Sequence, residues 1–183
     1  MHFLRLLLNE FSPMANSNRE VIVGNLNNLV DASGLTDSSF SNMLGISLRK
    51  LKYIKSGKIN LSLKDIELFA DFFGVSIGTL SRANLKVNPN LRQKLFEKYR
   101  NINEYKVHLE KTPSIVYAIR YYLLNLTEFE NQLEVKNIRL FLEEKMGWKY
   151  SSSALSNSLK RENDKIKIEP HPSKKGTLVY SKR

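Results

Sequence analysis

The chain has no cysteine, which excludes disulfides, thiol nucleophiles and thiolate metal sites and suits a reducing compartment. Its three histidines, His2, His108 and His171, lie far apart in sequence and lack the close spacing of metal ligands, so no metal is expected. Long apolar runs are also missing. The opening stretch "MHFLRLLLNEFSP" is interrupted by Arg5, stops at Leu8, and falls short of the roughly 20 apolar residues that a spanning helix needs. It reads either as a short amphipathic arm, residues 1–13, or as an extension ahead of a start at Met14. No glycine-rich phosphate loop follows a strand, no Gly-x-Ser-x-Gly elbow occurs, and the pair Glu143 and Glu144 has no acid–base partner nearby in sequence. Neither catalysis nor a cofactor is expected, and the protein reads as cytoplasmic, without membrane passage.

Acidic charge is scarce. Eighteen Asp and Glu face 29 Lys and Arg, a net charge of +11 over 183 residues, and such a field attracts polyanions such as nucleic acid. Apolar residues make up 42% and charged residues 26%, ordinary proportions for a folded chain with one or two cores.

Almost every segment carries a helical period. Ile22, Leu26, Leu29 and Val30 share one helix face that should end near Gly34. Thr36 can cap a second helix from Asp37 to Leu44, Ser47 a third ending near Ser56, and Ser62 a fourth with Leu63, Ile66, Phe69, Ala70 and Phe73 inward. "VSIGTL" adds a final turn, so five short helices fit between residues 18 and 82. Within them, "GISLRKLKYIKSGK" holds Arg49, Lys50, Lys52, Lys55 and Lys58 and no acid, while Leu51 and Ile54 recur at a spacing that demands burial. A short helix with one apolar stripe and an otherwise cationic surface, joined to its predecessor by a turn at Gly45, has the form of a helix-turn-helix unit.

Residues 34–80 resemble the XRE, or lambda-repressor-like, family of prokaryotic and phage regulators. The resemblance rests on Gly34-Leu35-Thr36, Phe40-Ser41, Gly45-Ile46-Ser47, Leu51 with Ile54, Lys55-Ser56-Gly57, Ser62-Leu63 and Phe73-Gly74-Val75-Ser76. Phe40-Ser41 stands where the family has Leu-Ala, and Lys55 where it usually has Glu, which adds a cation beside the expected DNA face. The family's docking puts the start of the third helix into the major groove. It implies base contact by Leu48, Arg49 and Tyr53, with Ser47 and Lys50 nearby, and phosphate contact by Lys52, Lys55 and Lys58 and by the amides near Asp37 and Ser38. Arg49 is suited to guanine, whose O6 and N7 accept two hydrogen bonds from one guanidinium.

The polar stretch "RANLKVNPN", residues 82–90, reads as a linker, placing the first domain at 14–88 and a second at 89–183. Leu91, Leu95, Tyr99 and Ile102 indicate a helix, and Tyr117, Tyr121 and Tyr122 suit a core or dimer contact better than a base-stacking platform. Further on, Val135, Ile138, Phe141 and Leu142 form an amphipathic helix, and Ser151 or Ser152 can cap another with Leu155 and Leu159 inward. The period then changes to two, with Ile166 and Ile168 before the turn "PHPSKKG" and Leu178 and Tyr180 after it. Helix, turn, helix and a basic hairpin resemble a winged helix. In that reading Ser153, Ser156, Asn157, Lys160 and Arg161 lie on a second recognition helix, and Lys174 and Lys175 on a wing tip that can reach phosphates.

The expected fold is mainly α: a five-helix lambda-repressor-like domain and a winged-helix-like domain with a β-hairpin. The expected function is sequence-specific binding of double-stranded DNA by a transcription regulator, a repressor of prokaryotic or phage type, acting as a homodimer. Two alternatives remain open: an antitoxin-like or antirepressor-like protein whose C-terminal half holds a protein partner, and a plasmid replication initiator.

Overall fold

Hydroxyl side chains punctuate the chain into helices. Thr36, Ser47, Ser62, Ser76, Ser114 and Ser151 each have extended backbone and accept a hydrogen bond from the amide three residues on, satisfying a donor that the first helical turn leaves without a partner. The computed structural model describes residues 12–183. Residues 1–11, most of the expected arm, lie outside it, and residues 12 and 13 open the first helix. The chain divides into two units, the first ending at His108 and the second running from Leu109 to Arg183.

The first unit is helical: α1 (Ser12–Ser33), α2 (Asp37–Met43), α3 (Leu48–Lys55), α4 (Leu63–Phe73), α5 (Ile77–Leu80) and α6 (Leu91–Tyr99), with α7 (Asn103–Glu110) carrying the chain onward. Leu26, Phe40, Leu51, Ile54, Phe69 and Leu80 are fully buried, each contributing about 1.5–3 kcal/mol through removal from water. The Phe40 ring lies 6.0, 5.2 and 5.4 Å from those of Phe69, Phe72 and Phe73, and this aromatic cluster seats α2 on α4.

Two sequence expectations need correction here. Leu63, placed on the inward stripe of α4, is 64% exposed. It is the first residue of its helix, before the axis reaches the core, and Phe72 is buried in its stead because α4 is covered on a second side by α6, where Phe72 and Tyr99 stack with centroids 5.3 Å apart. The domain boundary at residue 88 also moves. Arg92 Nη1 donates to the Ser33 carbonyl at 2.9 Å and the Tyr99 hydroxyl to that of Phe72 at 2.8 Å, so α6 belongs to the first unit. The polar stretch before it is a surface turn, held by the Asn25 side-chain amide, which donates at 2.8 Å to both Leu80 and Arg82 carbonyls. Leu91, Leu95 and Tyr99 are therefore buried within the unit.

In the second unit α8 (Ile115–Tyr117) continues as a π turn (Ala118–Tyr122) and two short 3-10 turns (Leu123–Asn125 and Thr127–Glu130). β1 (Leu133–Glu134), α9 (Val135–Met146), α10 (Ser152–Arg161), β2 (Ile166–Pro170) and β3 (Leu178–Lys182) follow. The sheet is antiparallel in the order β1-β3-β2, with Tyr180 opposite both Leu133 and Ile168. Alternation along β2 and β3 sends Ile166 and Tyr180 into a core made by Ile119, Leu123, Ile138, Leu142, Leu155 and Leu159. The whole is mainly helical with a small three-stranded antiparallel sheet, in the order of a winged helix. β1 was not expected, and at two residues it has no period to read. Tyr122 packs on this core, its ring 5.3 Å from that of Trp148, and Tyr117 stacks on Tyr121 at 5.5 Å.

Candidate nucleic-acid interface

Two glycines fix the position of α3. Gly45, at φ +65°, lets Ile46 N return to the Ser41 carbonyl at 3.0 Å, and Gly57, at φ +67°, lets Lys58 N return to Tyr53 at 2.9 Å. Such left-handed closures favour glycine because a Cβ is strained there. Between them α3 packs on α2 and α1 through Leu51 and Ile54, both without exposed surface. From α1, Asn27 Nδ2 donates to the Lys55 carbonyl at 3.1 Å, and Arg19 donates to Ile59 O at 2.9 Å and to Gly57 O. The helix is clamped at its far end by residues that sequence patterning did not single out.

Turned away from that core, Leu48, Arg49 and Lys52 are exposed, Tyr53 is half-buried, and Ser47 and Lys58 flank them. Arg49 Nε donates to the Tyr53 hydroxyl at 3.1 Å, with the guanidinium carbon 5.3 Å from the centre of the Tyr53 ring and the Lys58 ammonium 6.0 Å from it.

Lys50 and Lys55, expected as cations facing a duplex, are each committed to an acid. Lys50 Nζ lies 2.5 Å from Asp65 Oδ1, and Lys55 Nζ 2.5 Å from Asp37 Oδ1. Asp65 is also the third residue of a capping box with Ser62. Burial pushes its carboxyl up, but hydrogen bonds from Lys50 and Ser62 and the Lys50 charge outweigh this and hold it below its ordinary value. Asp37, which alone would repel phosphate beside the start of α2, is offset by Lys55. The lysine that departs from the family pattern thus answers an acid from the neighbouring helix.

On the second unit, Ser153, Asn157, Lys160 and Arg161 are exposed along α10. Ser156 is not: it is half-buried, its Oγ 2.9 Å from the Tyr180 hydroxyl, and so joins α10 to β3. At the end of α10, Glu162 is buried and takes Arg120 Nε on both oxygens, at 2.9 and 2.8 Å. Burial raises the Glu162 carboxyl while Arg120 and Lys165 lower it, and the net direction is down.

The turn between β2 and β3 is ordered by His171, whose Nδ1 accepts from the amides of Ser173 and Lys174 at 3.1 and 3.2 Å. Its other ring nitrogen, Nε2, lies 3.4 Å from Glu134 Oε1. Glu134, the last residue of β1, also binds the Lys174 ammonium, which holds its carboxyl low. Lys174, expected as a wing-tip cation for phosphate, is thus paired, while Lys175 stays exposed. An open groove runs beside this pair, lined by Lys136, Lys160, Gly176 and Tyr180 among others.

Among the described residues no cluster of three or more His, Asp or Glu side chains is placed to hold a metal, and no helix is long and apolar enough to cross a membrane. Comparison of the chain with protein-family models, curated proteins and solved structures finds no match.

Proposed function

We propose that the protein is a sequence-specific binder of double-stranded DNA that regulates transcription, with α3 as its reading element. One observation carries this: a helix held rigidly on its apolar side by Leu51 and Ile54 presents Leu48, Arg49 and Lys52 outward and contains no acid. A cationic helix of eight residues fits a major groove about 12 Å wide. Leu48 offers apolar contact to a thymine methyl, Arg49 donors to guanine, and Lys52 and Lys58 charge to phosphates. Repression by a homodimer follows from the XRE resemblance, which predicts two half-sites about 34 Å apart on one face of the duplex.

The test is selection of bound duplexes from a random library by the full chain. A recurring motif, lost in Arg49→Ala and kept in Lys175→Ala, supports reading through α3; no enrichment defeats it.

A second reading is favoured by the pairing of Lys174 with Glu134, which reduces the charge that the hairpin offers to phosphate. The second unit then serves as a contact for a protein partner, in the manner of an antitoxin or antirepressor, while the first unit binds DNA. Recovery of the protein with a stoichiometric partner, together with a footprint that ignores substitutions in α10, distinguishes it.

A further inference from the structure

Tyr53 was expected to touch bases. Its place on α3 suggests another task. The hydroxyl accepts from Arg49 Nε at 3.1 Å, and the ring lies 5.3 Å below the guanidinium carbon. Both residues sit one turn apart on the same helix, where side chains at i and i+4 meet. Three features follow from this geometry. Nε is already engaged, so the guanidinium cannot approach a base side-on through Nε and one terminal nitrogen. The two terminal nitrogens remain as a parallel pair of donors, the arrangement that matches O6 and N7 of guanine. And a long side chain that otherwise loses rotamer freedom on binding is partly ordered beforehand, which lowers the cost of docking.

We propose that Tyr53 is a positioning residue that presets Arg49 for end-on recognition of guanine in the major groove, without itself reading a base. The inference rests on the DNA-binding reading above and deepens it by naming the device that presets Arg49 for the guanine already assigned to it. Lys58, whose ammonium also approaches the Tyr53 ring, adds a second cation beside that ring. Tyr53 is half-buried at the edge of α3, and the fully buried Leu51 and Ile54 carry the packing, so Tyr53→Phe leaves the fold intact while removing only the acceptor for Nε.

The experiment measures affinity of the full-length wild type, Tyr53→Phe, Arg49→Lys and the double variant for the selected duplex and for duplexes changed at single base pairs. Thermal unfolding of each protein is followed in parallel. Wild type should prefer guanine at one position by roughly 5- to 150-fold. Tyr53→Phe should shrink that preference by about 2- to 10-fold, as expected for loss of one hydrogen bond, with unchanged affinity for unrelated duplex and an unchanged unfolding midpoint. In the Arg49→Lys background, which keeps the charge but lacks Nε, Tyr53→Phe should have no further effect. Two results overturn the proposal alone: a guanine preference that persists in full in Tyr53→Phe, or a loss in Tyr53→Phe that is undiminished in the Arg49→Lys background. A wild-type protein that binds duplex with no preference at any base pair overturns the DNA-reading conclusion as well.

Discussion

Lys55 Nζ stands 2.5 Å from Asp37 Oδ1, so the last residue of α3 is tied to the first residue of α2. The acid and the cation nearly cancel beside the surface assigned to phosphate. Asp37→Asn should therefore release the ammonium, raise affinity for every duplex alike, and steepen the slope of log K against log salt by about one. Lys55→Ala should in turn cost less affinity than Lys52→Ala, since the Lys52 charge is exposed. Titrations at four or five salt concentrations read both effects. An unchanged slope in Asp37→Asn places Lys55 away from the nucleic acid.

Affinity of the wild type should fall steeply with salt, because cations at the interface displace counterions condensed on the duplex. For about six phosphate contacts the slope is near −5. A slope near zero removes the electrostatic basis of the DNA reading.

Local signals survived into the structure because they are decided within a few residues. The caps at Thr36, Ser47 and Ser62, the closures at Gly45 and Gly57, and the buried pair Leu51 and Ile54 need only neighbouring backbone and a helical period. The partners of the cations were not legible. Lys50 meets Asp65 fifteen residues away, Lys55 meets Asp37 eighteen away, and Lys174 meets Glu134 forty away, and no spacing rule links such pairs until the helices are packed. The same limit explains the domain boundary: Leu91, Leu95 and Tyr99 advertise a buried face but not which core it joins.

Tyr99 should govern part of the alkaline stability of the first unit. Burial, with help from Tyr105 and Asp71, pushes its phenol from 10.0 up to about 12. The folded state thus holds this proton more tightly than the unfolded chain does. The corresponding stability, roughly 2–3 kcal/mol at 1.36 kcal/mol per unit, is fully present below pH 10 and is lost as pH rises towards 12. Tyr99→Phe should lower stability at pH 7 by about 1 kcal/mol through loss of the hydrogen bond to Phe72; because only the wild type then loses roughly 2–3 kcal/mol as pH rises, the gap should close above pH 10 and reverse before pH 12. Urea unfolding across that range measures it. A gap independent of pH dissociates the phenol proton from stability.

The role of the second unit turns on Glu134. Its carboxylate binds Lys174 and faces His171, so the hairpin is steadied against β1 at the expense of one cation that phosphate would otherwise meet. Glu134→Gln removes the charge but keeps an oxygen able to accept from Lys174, so the turn should stay ordered while its net positive charge rises by one. If this face lies on DNA beside α10, with Lys160 and Lys136 across the groove, the variant should bind the selected duplex more tightly, by severalfold at low salt, and the advantage should shrink as salt screens it. Lys174→Glu with Lys175→Glu should do the opposite and shorten the protected stretch at one end, or at both ends for a symmetric dimer. Should affinity and footprint ignore all three substitutions while the protein retains its mass in solution, the hairpin is not a DNA contact. The second unit then becomes the place to look for a protein partner, which would meet a surface where Glu134 has already answered the lysine.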